Sequence, residues 1–220
     1  MAKREPTKTE AIRHVTRAAK IAKWENRSAI PLAILAILFL VFWAMQVLLP
    51  VNQLEWDLLE AAIILIWVGF IVDFVVRYIY HPDKMHFLRS NVIEFLALVL
   101  PAFRVFRMLR VITAIGMFTR VAQTLQARVN IYIGIVLPMM VFAGALGVYE
   151  AEHEVSGATI KSFTDALWWC CVTVFTVGYG DLYPVTLEGR VIAVLMMLGG
   201  FGLISVVTAN LASYFLKQVK

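Results

Sequence analysis

Three stretches of this chain, 30–50, 131–149 and 191–216, are apolar and contain no charged residue. An α-helix needs about 20 such residues to cross the hydrocarbon core of a bilayer, so each stretch is long enough to span a membrane. The composition agrees, because 61% of the residues are hydrophobic and only 16% are charged, against about 25% charged residues in a soluble domain. Lipid must therefore be the solvent for most of the folded chain.

Three other apolar stretches contain charges: 58–80, 91–100 and 101–118. Together with the charge-free stretches they predict six membrane-spanning helices, whereas the apolar stretch 163–175 is too short to cross. The loop after the first span holds acids and no base, and the loop after the second holds Lys84 and Arg89. The positive-inside rule then predicts a multi-pass protein of the cell membrane with both termini in the cytoplasm.

The basic leader, 1–28, precedes the first apolar stretch. Within it Ile12, Val15, Ala19 and Ala22 recur every three or four residues, which predicts an amphipathic helix. Such a helix lies on an anionic inner leaflet, or the leader is merely a solvated basic segment. The net charge of +5 would also suit nucleic acid, but the bases cluster at the edges of the apolar stretches, so no nucleic-acid partner is expected.

The chain has no phosphate-binding glycine loop, nucleophile elbow or paired catalytic carboxylates, so we expect neither an enzyme nor a cofactor. The adjacent Cys170 and Cys171 have no second cysteine pair for a metal site, and we interpret them as small packing residues. The sequence EAEHE at 150–154 could bind a divalent ion through His153, or form an acidic outer collar that attracts cations.

The sequence TVGYGD at 176–181 directly follows the short apolar stretch 163–175. Its composition suits neither a helix nor a strand, and irregular backbone at membrane depth is tolerated only where it is buried or lines a water-filled cavity. Gly178 and Gly180 permit backbone conformations that a side chain would block, so that successive carbonyls can point at one axis. The motif therefore predicts a segment that lines an aqueous path.

The longer segment FTDALWWCCVTVFTVGYGDLYPVT, 163–186, resembles the pore of potassium channels, and the plan of spans over 31–216 resembles their six-span voltage-gated members. The resemblance implies an all-α integral membrane fold, with a four-helix voltage-sensor-like domain followed by a two-helix pore module. That module contains a re-entrant pore helix and a selectivity filter. Since each chain supplies one filter loop, it also implies a homotetramer, in which each chain has three identical partner subunits.

The resemblance divides the chain into four parts: the leader 1–28, a voltage-sensor domain 29–118, an amphipathic linker 119–130 and a pore domain 131–217. Within the pore domain it implies a pore helix at 163–175, the filter at 176–181 and an inner helix at 188–216. In the family, backbone carbonyls of the filter bind K⁺. The corresponding residues here are Thr176, Val177, Gly178, Tyr179 and Gly180.

The family also braces its filter with aromatic residues, which correspond to Trp168 and Trp169. The resemblance implies that Trp168 hydrogen-bonds Asp181 and that Trp169 supports Tyr179; the alternative is that both tryptophans pack against lipid or core. Phe175 stands where the family usually has threonine. An aromatic ring there would line the inner cavity, and we expect it to alter the binding of internal quaternary ammonium blockers.

In the sequence MLGGFG, Gly200 stands at the position that corresponds to the family's gating hinge. A glycine weakens a helix locally, which favours bending. The alternative is that Gly199, Gly200 and Gly202 simply let helices pack closely.

Arg104, Arg107 and Arg110 recur at every third residue of the fourth span. A charge near the bilayer centre is costly, so these arginines need a function, which the resemblance identifies as voltage sensing. The repeat is short, which predicts shallow voltage dependence. The alternative is a static, ion-paired helix.

The sequence GFIVDFVVR, 69–77, resembles the charge-transfer centre of that sensor. Phe70 would be its hydrophobic plug and Asp73 its acid, while Glu94 resembles the acid of the third span. The sequence thus predicts a potassium-selective, voltage-dependent channel. The same pore opened by a ligand or a lipid is the alternative, and the single intact filter disfavours a potassium-transporter subunit or a stand-alone voltage sensor.

Overall fold

The computed structural model describes residues 8–99 and 131–218, and every regular element within these two ranges is helical. The helices are α1 (Lys8–Leu48), α2 (Gln53–Tyr80), α3 (Lys84–Ser90), α4 (Val92–Val99), α5 (Leu137–Glu152), α6 (Phe163–Val174) and α7 (Leu187–Gln218). In these ranges four segments are long and apolar enough to cross a membrane: Arg27–Leu48, Gln53–Tyr80, Ile133–Glu152 and Leu187–Ala209. The predicted fourth span, 101–118, and the linker 119–130 lie outside the described residues.

The helix predicted in the leader is present, but it is continuous with the first span as the single helix α1. No glycine separates the two, and Pro31 lies inside the helix without ending it. Proline is tolerated in membrane helices, where neighbouring groups satisfy the backbone carbonyl that it leaves without a donor. The leader part of α1 is therefore continuous with the part that is long and apolar enough to cross a membrane.

Helix α2 packs along α1, and the short helices α3 and α4 pack against its end. Asn52 and Glu55 form a reciprocal capping box that starts α2, and Asp83 caps α3 by accepting from the backbone N–H of His86 at 3.0 Å. This N–H also holds the pKa of Asp83 below its usual value. Helix α4 ends at the limit of the described range, inside the predicted third span.

Helices α5, α6 and α7 pack against one another and form the second half of the molecule. A π-helical turn, Tyr132–Val136, precedes α5. Helix α6 begins with a capping box of Ser162 and Asp165 and has only 12 residues, so it enters this half without crossing it. Its position between α5 and α7 determines where the loop that follows it lies.

The two halves contact each other through α1 and α5. The indole Nε1 of the buried Trp43 donates to Glu150 Oε2 at 3.1 Å, across 107 residues of sequence. The first helix of the chain is thus bound directly to the outer helix of the second half.

Candidate functional site

The loop 176–181 begins where α6 ends, and hydrogen bonds of that last turn fix its start. The backbone N–H of Thr176 donates to Thr173 O at 3.1 Å, and that of Val177 donates to Val172 O at 2.9 Å. Phe175 caps the helix, and its side chain is 54% exposed. The loop therefore leaves α6 in a fixed direction.

The backbone of this loop alternates in handedness. Thr176, Gly178 and Gly180 have φ angles of 58°, 62° and 79°, whereas Val177 and Tyr179 between them do not have positive φ. Alternation of this kind turns successive peptide units so that their polar groups face one side. Glycine adopts a positive φ freely, but for Thr176 this conformation costs about 1–2 kcal/mol. The sequence did not indicate a positive φ at Thr176.

Two contacts of Trp168 support the loop from α6. Its indole Nε1 donates to Asp181 Oδ2 at 2.8 Å, as expected from the sequence. Its ring stacks on that of Tyr179, with centroids 5.8 Å apart and planes 2° apart. The sequence assigned the support of Tyr179 to Trp169, but Trp169 is buried in the hydrophobic core and the stacking partner is Trp168.

The buried carboxylate of Glu152 binds the segment that follows the loop 176–181. It accepts hydrogen bonds from the backbone N–H of Val185 at 3.0 Å and from that of Thr186 at 2.9 Å. The glycine at 189 leaves room for it, since a Cβ there would lie 2.2 Å from Glu152 Oε1. The stretch between the loop and α7 is thereby attached to the end of α5.

The expected acidic outer collar at 150–154 is therefore wrong in part. Glu152 is completely buried, Glu150 accepts the hydrogen bond of Trp43, and only Glu154 of the three acids is exposed. Three similar acids at alternate positions gave no sign of which one would be buried. The divalent-ion alternative also lacks support, because the described residues contain no group of three or more His, Cys, Asp or Glu side chains placed to hold a metal.

Gly200 of α7 lies directly against the end of α6. A Cβ at this position would be 2.8 Å from the carbonyl oxygen of Val174 and 3.0 Å from its Cα. Gly199 similarly faces Met140, whereas nothing lies within 4 Å of a Cβ at Gly202. This geometry is that of close packing directly below the loop, and the hinge at Gly200 stays a prediction.

A second cluster lies in the first half, where the sequence placed a charge-transfer centre. Phe70 and Asp73 are buried on α2, as is Arg77 one turn further on. Arg77 Nε donates to Asp73 Oδ2 at 2.8 Å, and its terminal nitrogens form a fork on Glu94, one bond of which is 3.1 Å. The guanidinium also lies 5.8 Å from the ring centroid of Phe74.

Arg77 was not predicted as part of this cluster. The sequence paired Asp73 and Glu94 with the arginines of the fourth span; the structure shows that an arginine fixed on α2 bridges them. The spacing Asp73–Arg77, one helical turn, was the available signal for this pair. Arg104, Arg107 and Arg110 lie outside the described residues, so their position relative to the cluster stays a prediction.

Comparison with known proteins gives one family model and several relatives that match part of this chain. Residues 133–217 match a family model described as ion channel. A voltage-gated potassium channel of Aeropyrum pernix is 39% identical over 79 residues, which cover 36% of this chain and 27% of the relative. A calcium-gated potassium channel of Thermoplasma volcanium is 38% identical over 76 residues, or 34% and 22% of the two chains.

A cyclic nucleotide-gated potassium channel of Mesorhizobium japonicum is 34% identical over 95 residues, which cover 43% of this chain and 27% of the relative. The matched regions thus span about a quarter of these relatives' own length. Together with the four long apolar helices, the family match identifies the chain as a membrane protein.

Proposed function

Since the chain belongs through its pore segment, 133–217, to the family of voltage-gated potassium channels, we propose that it forms a potassium-selective channel whose opening depends on voltage. The family assignment made from the filter motif is confirmed, as is the prediction that the chain is not an enzyme. The observation that carries the proposal is the loop 176–181, whose φ alternates in sign.

In the proposed pore, the carbonyls of the filter replace the hydration shell of K⁺. Four copies of the loop surround one axis, and each contributes the oxygens of Thr176, Val177, Gly178, Tyr179 and Gly180. In a single chain this loop is open, with Tyr179 67% exposed. A site of this kind is incomplete without further copies, which supports assembly with three identical subunits.

The exposed side of α7 supports the same assembly. Large apolar side chains follow one another along it at helical spacing: Val191, Val194, Leu198 and Phe201 are all exposed. Helices of four subunits packed around the axis would cover this face beside the filter. By the charge distribution of the loops, both termini face the cytoplasm, where the basic leader would meet anionic lipid.

Voltage dependence is supported by the cluster of Asp73, Arg77 and Glu94, because acids held within apolar helices are the counter-charges that sensor arginines need. Movement of three arginines in each of four subunits through the whole field would supply roughly 28 kcal/mol at 100 mV. The alternative is a ligand-opened pore, favoured by similarity to relatives named as calcium-gated and cyclic nucleotide-gated potassium channels.

The test is reconstitution into a planar bilayer under a potassium–sodium gradient, with voltage steps of both signs. We expect reversal near the potassium equilibrium potential and an open probability that changes with voltage. Selective current with a flat open probability would refute voltage dependence and leave the ligand-gated alternative. Absence of selective current would refute the proposed channel.

Two alanine variants test whether the filter geometry carries selectivity. Gly178 and Gly157 both have positive φ, 62° and 82°, and neither has a neighbour within 4 Å of a Cβ. The backbone strain of alanine is thus similar at the two sites. We expect Gly178→Ala to abolish selective current and Gly157→Ala, in the loop between α5 and α6, to retain it.

A further inference from the structure

We propose that Trp24 is a positioning residue of the sensor, through which the cytoplasmic part of α1 holds the acid that the sensor arginines meet; this inference rests on the proposed voltage dependence. The indole Nε1 of Trp24 donates to Asp73 Oδ1 at 2.9 Å, across 49 residues of sequence. Trp24 precedes the membrane-spanning part of α1, which begins at Arg27. The basic leader is therefore part of the sensor rather than an independent segment.

The contact stabilises the buried carboxylate of Asp73. Asp73 is 2% exposed, and a carboxylate withdrawn from water is stable only with hydrogen-bond donors at its oxygens. Arg77 Nε supplies one of them to Oδ2, and Trp24 supplies another to Oδ1. The two donors come from different helices and hold the carboxylate from two sides.

The chemical nature of the second donor matters. An indole N–H stabilises the ionised carboxylate and fixes its orientation, but it adds no charge. A cation at position 24 would instead add positive charge beside Asp73 and weaken the attraction of this acid for a sensor arginine. Cations are available beside Trp24, yet Lys23 and Arg27 are both exposed and the indole is the group at the acid.

The contact also has a mechanical consequence. Because α1 is one continuous helix from Lys8 to Leu48, a hydrogen bond at Trp24 restrains α1 against α2 at the cytoplasmic end. Near the other end, Trp43 binds α1 to Glu150 of the pore. Asp73 is thereby held in a frame that includes the second half of the molecule, and the proposed movement of the arginines would be relative to that frame.

The first experiment compares gating charge as a function of voltage in the full chain and in Trp24→Phe, which keeps an aromatic ring and removes the N–H. When the indole donor is lost, the carboxylate of Asp73 should attract a sensor arginine more strongly. Asp73 lies toward the cytoplasmic end of α2 in the proposed orientation, so the stronger attraction favours the sensor position nearest the cytoplasm. We therefore expect the midpoint of the gating charge–voltage curve to shift to more positive voltage. Trp56→Phe, at the opposite end of α2, is the matched control and should not shift it.

A Trp24→Phe midpoint equal to that of the control, or moved to negative voltage, would overturn the inference. If the parent chain moves no gating charge, voltage dependence itself fails, and a second measurement decides the role of Trp24. In ¹⁵N-indole-labelled protein in lipid nanodiscs, the signal missing from Trp24→Phe identifies this residue. We expect the chemical shift of its N–H proton to move upfield in Asp73→Asn. Asp73→Glu is the variant to use if Asp73→Asn prevents assembly. An unchanged chemical shift overturns the contact.

Discussion

Glu152, the last residue of α5, accepts hydrogen bonds from both the backbone N–H and the hydroxyl of Thr186, at 2.9 and 2.7 Å. Thr186 directly precedes α7, and its hydroxyl also accepts from the backbone N–H of Gly189 at 2.9 Å. One carboxylate thus fixes both the stretch that follows the loop 176–181 and the start of α7. Charge-assisted bonds to a completely buried acid are the strong kind, and they are costly to lose.

We expect Glu152→Gln to destabilise the assembled channel by about 1–3 kcal/mol. In glutamine an NH₂ group replaces one carboxylate oxygen, so the backbone N–H that this oxygen accepted from is left without an acceptor. Thermal loss of the assembled form in detergent measures this effect, and sustained current in bilayers should decay faster. Glu154→Gln is the control, since that side chain is 87% exposed and should change neither quantity. Equal behaviour of the two variants would contradict the role of Glu152.

Alanine at Gly200 should destabilise the pore, because its Cβ would lie 2.8 Å from the carbonyl oxygen of Val174 and the backbone must move to admit it. Overpacking of this kind typically costs about 1–3 kcal/mol. Gly134→Ala, with open space at its Cβ, is the control and should be neutral. Thermal denaturation compares the two. A stable Gly200→Ala channel that no longer opens would instead support the hinge.

The two adjacent tryptophans differ in what they hold, and parallel phenylalanine variants test that difference. Trp168→Phe keeps a ring beside Tyr179 but loses the 2.8 Å bond to Asp181. We expect shorter single-channel openings, because the outer end of the filter is released from α6. Trp169→Phe should affect thermal stability more than open time, since that ring lies in the core. The opposite pattern would restore the assignment made from the sequence.

Arg77→Gln should be strongly destabilising, because it removes the cation shared by two acids at the interface of α2 and α4. Breaking a buried ion pair on one side typically costs about 3–5 kcal/mol. Further removal of one acid in Arg77→Gln/Glu94→Gln should recover part of the loss, and thermal denaturation of this double variant and of the two single variants, Arg77→Gln and Glu94→Gln, measures the coupling. Strictly additive losses would show that Arg77 does not compensate Glu94. Arg89→Gln, an exposed arginine of α3, is the control.

The sequence predicted those features that depend on local pattern. Apolar runs of the right length located the four spans found among the described residues, and the motif TVGYGD located the loop that Trp168 supports. It did not predict Trp24 or Glu152, whose partners lie 49 and 33 or 34 residues away and depend on how helices pack. A single-sequence pattern shows that an acid is near the membrane; it does not show which helix supplies the donor.

Phe175 offers the last prediction, because it is an exposed ring directly before the loop 176–181, at a position where the sequence resemblance leads us to expect threonine. Four such rings would line the inner cavity, where a quaternary ammonium ion can lie against them. A cation–π contact at an exposed site contributes about 0.5–1 kcal/mol, so Phe175→Thr should weaken internal tetraethylammonium block by a few-fold. Concentration–inhibition curves measure the change. Phe95→Thr, an exposed ring on α4, should leave block unaltered, and equal block of Phe175→Thr and the parent would place the ring away from the cavity.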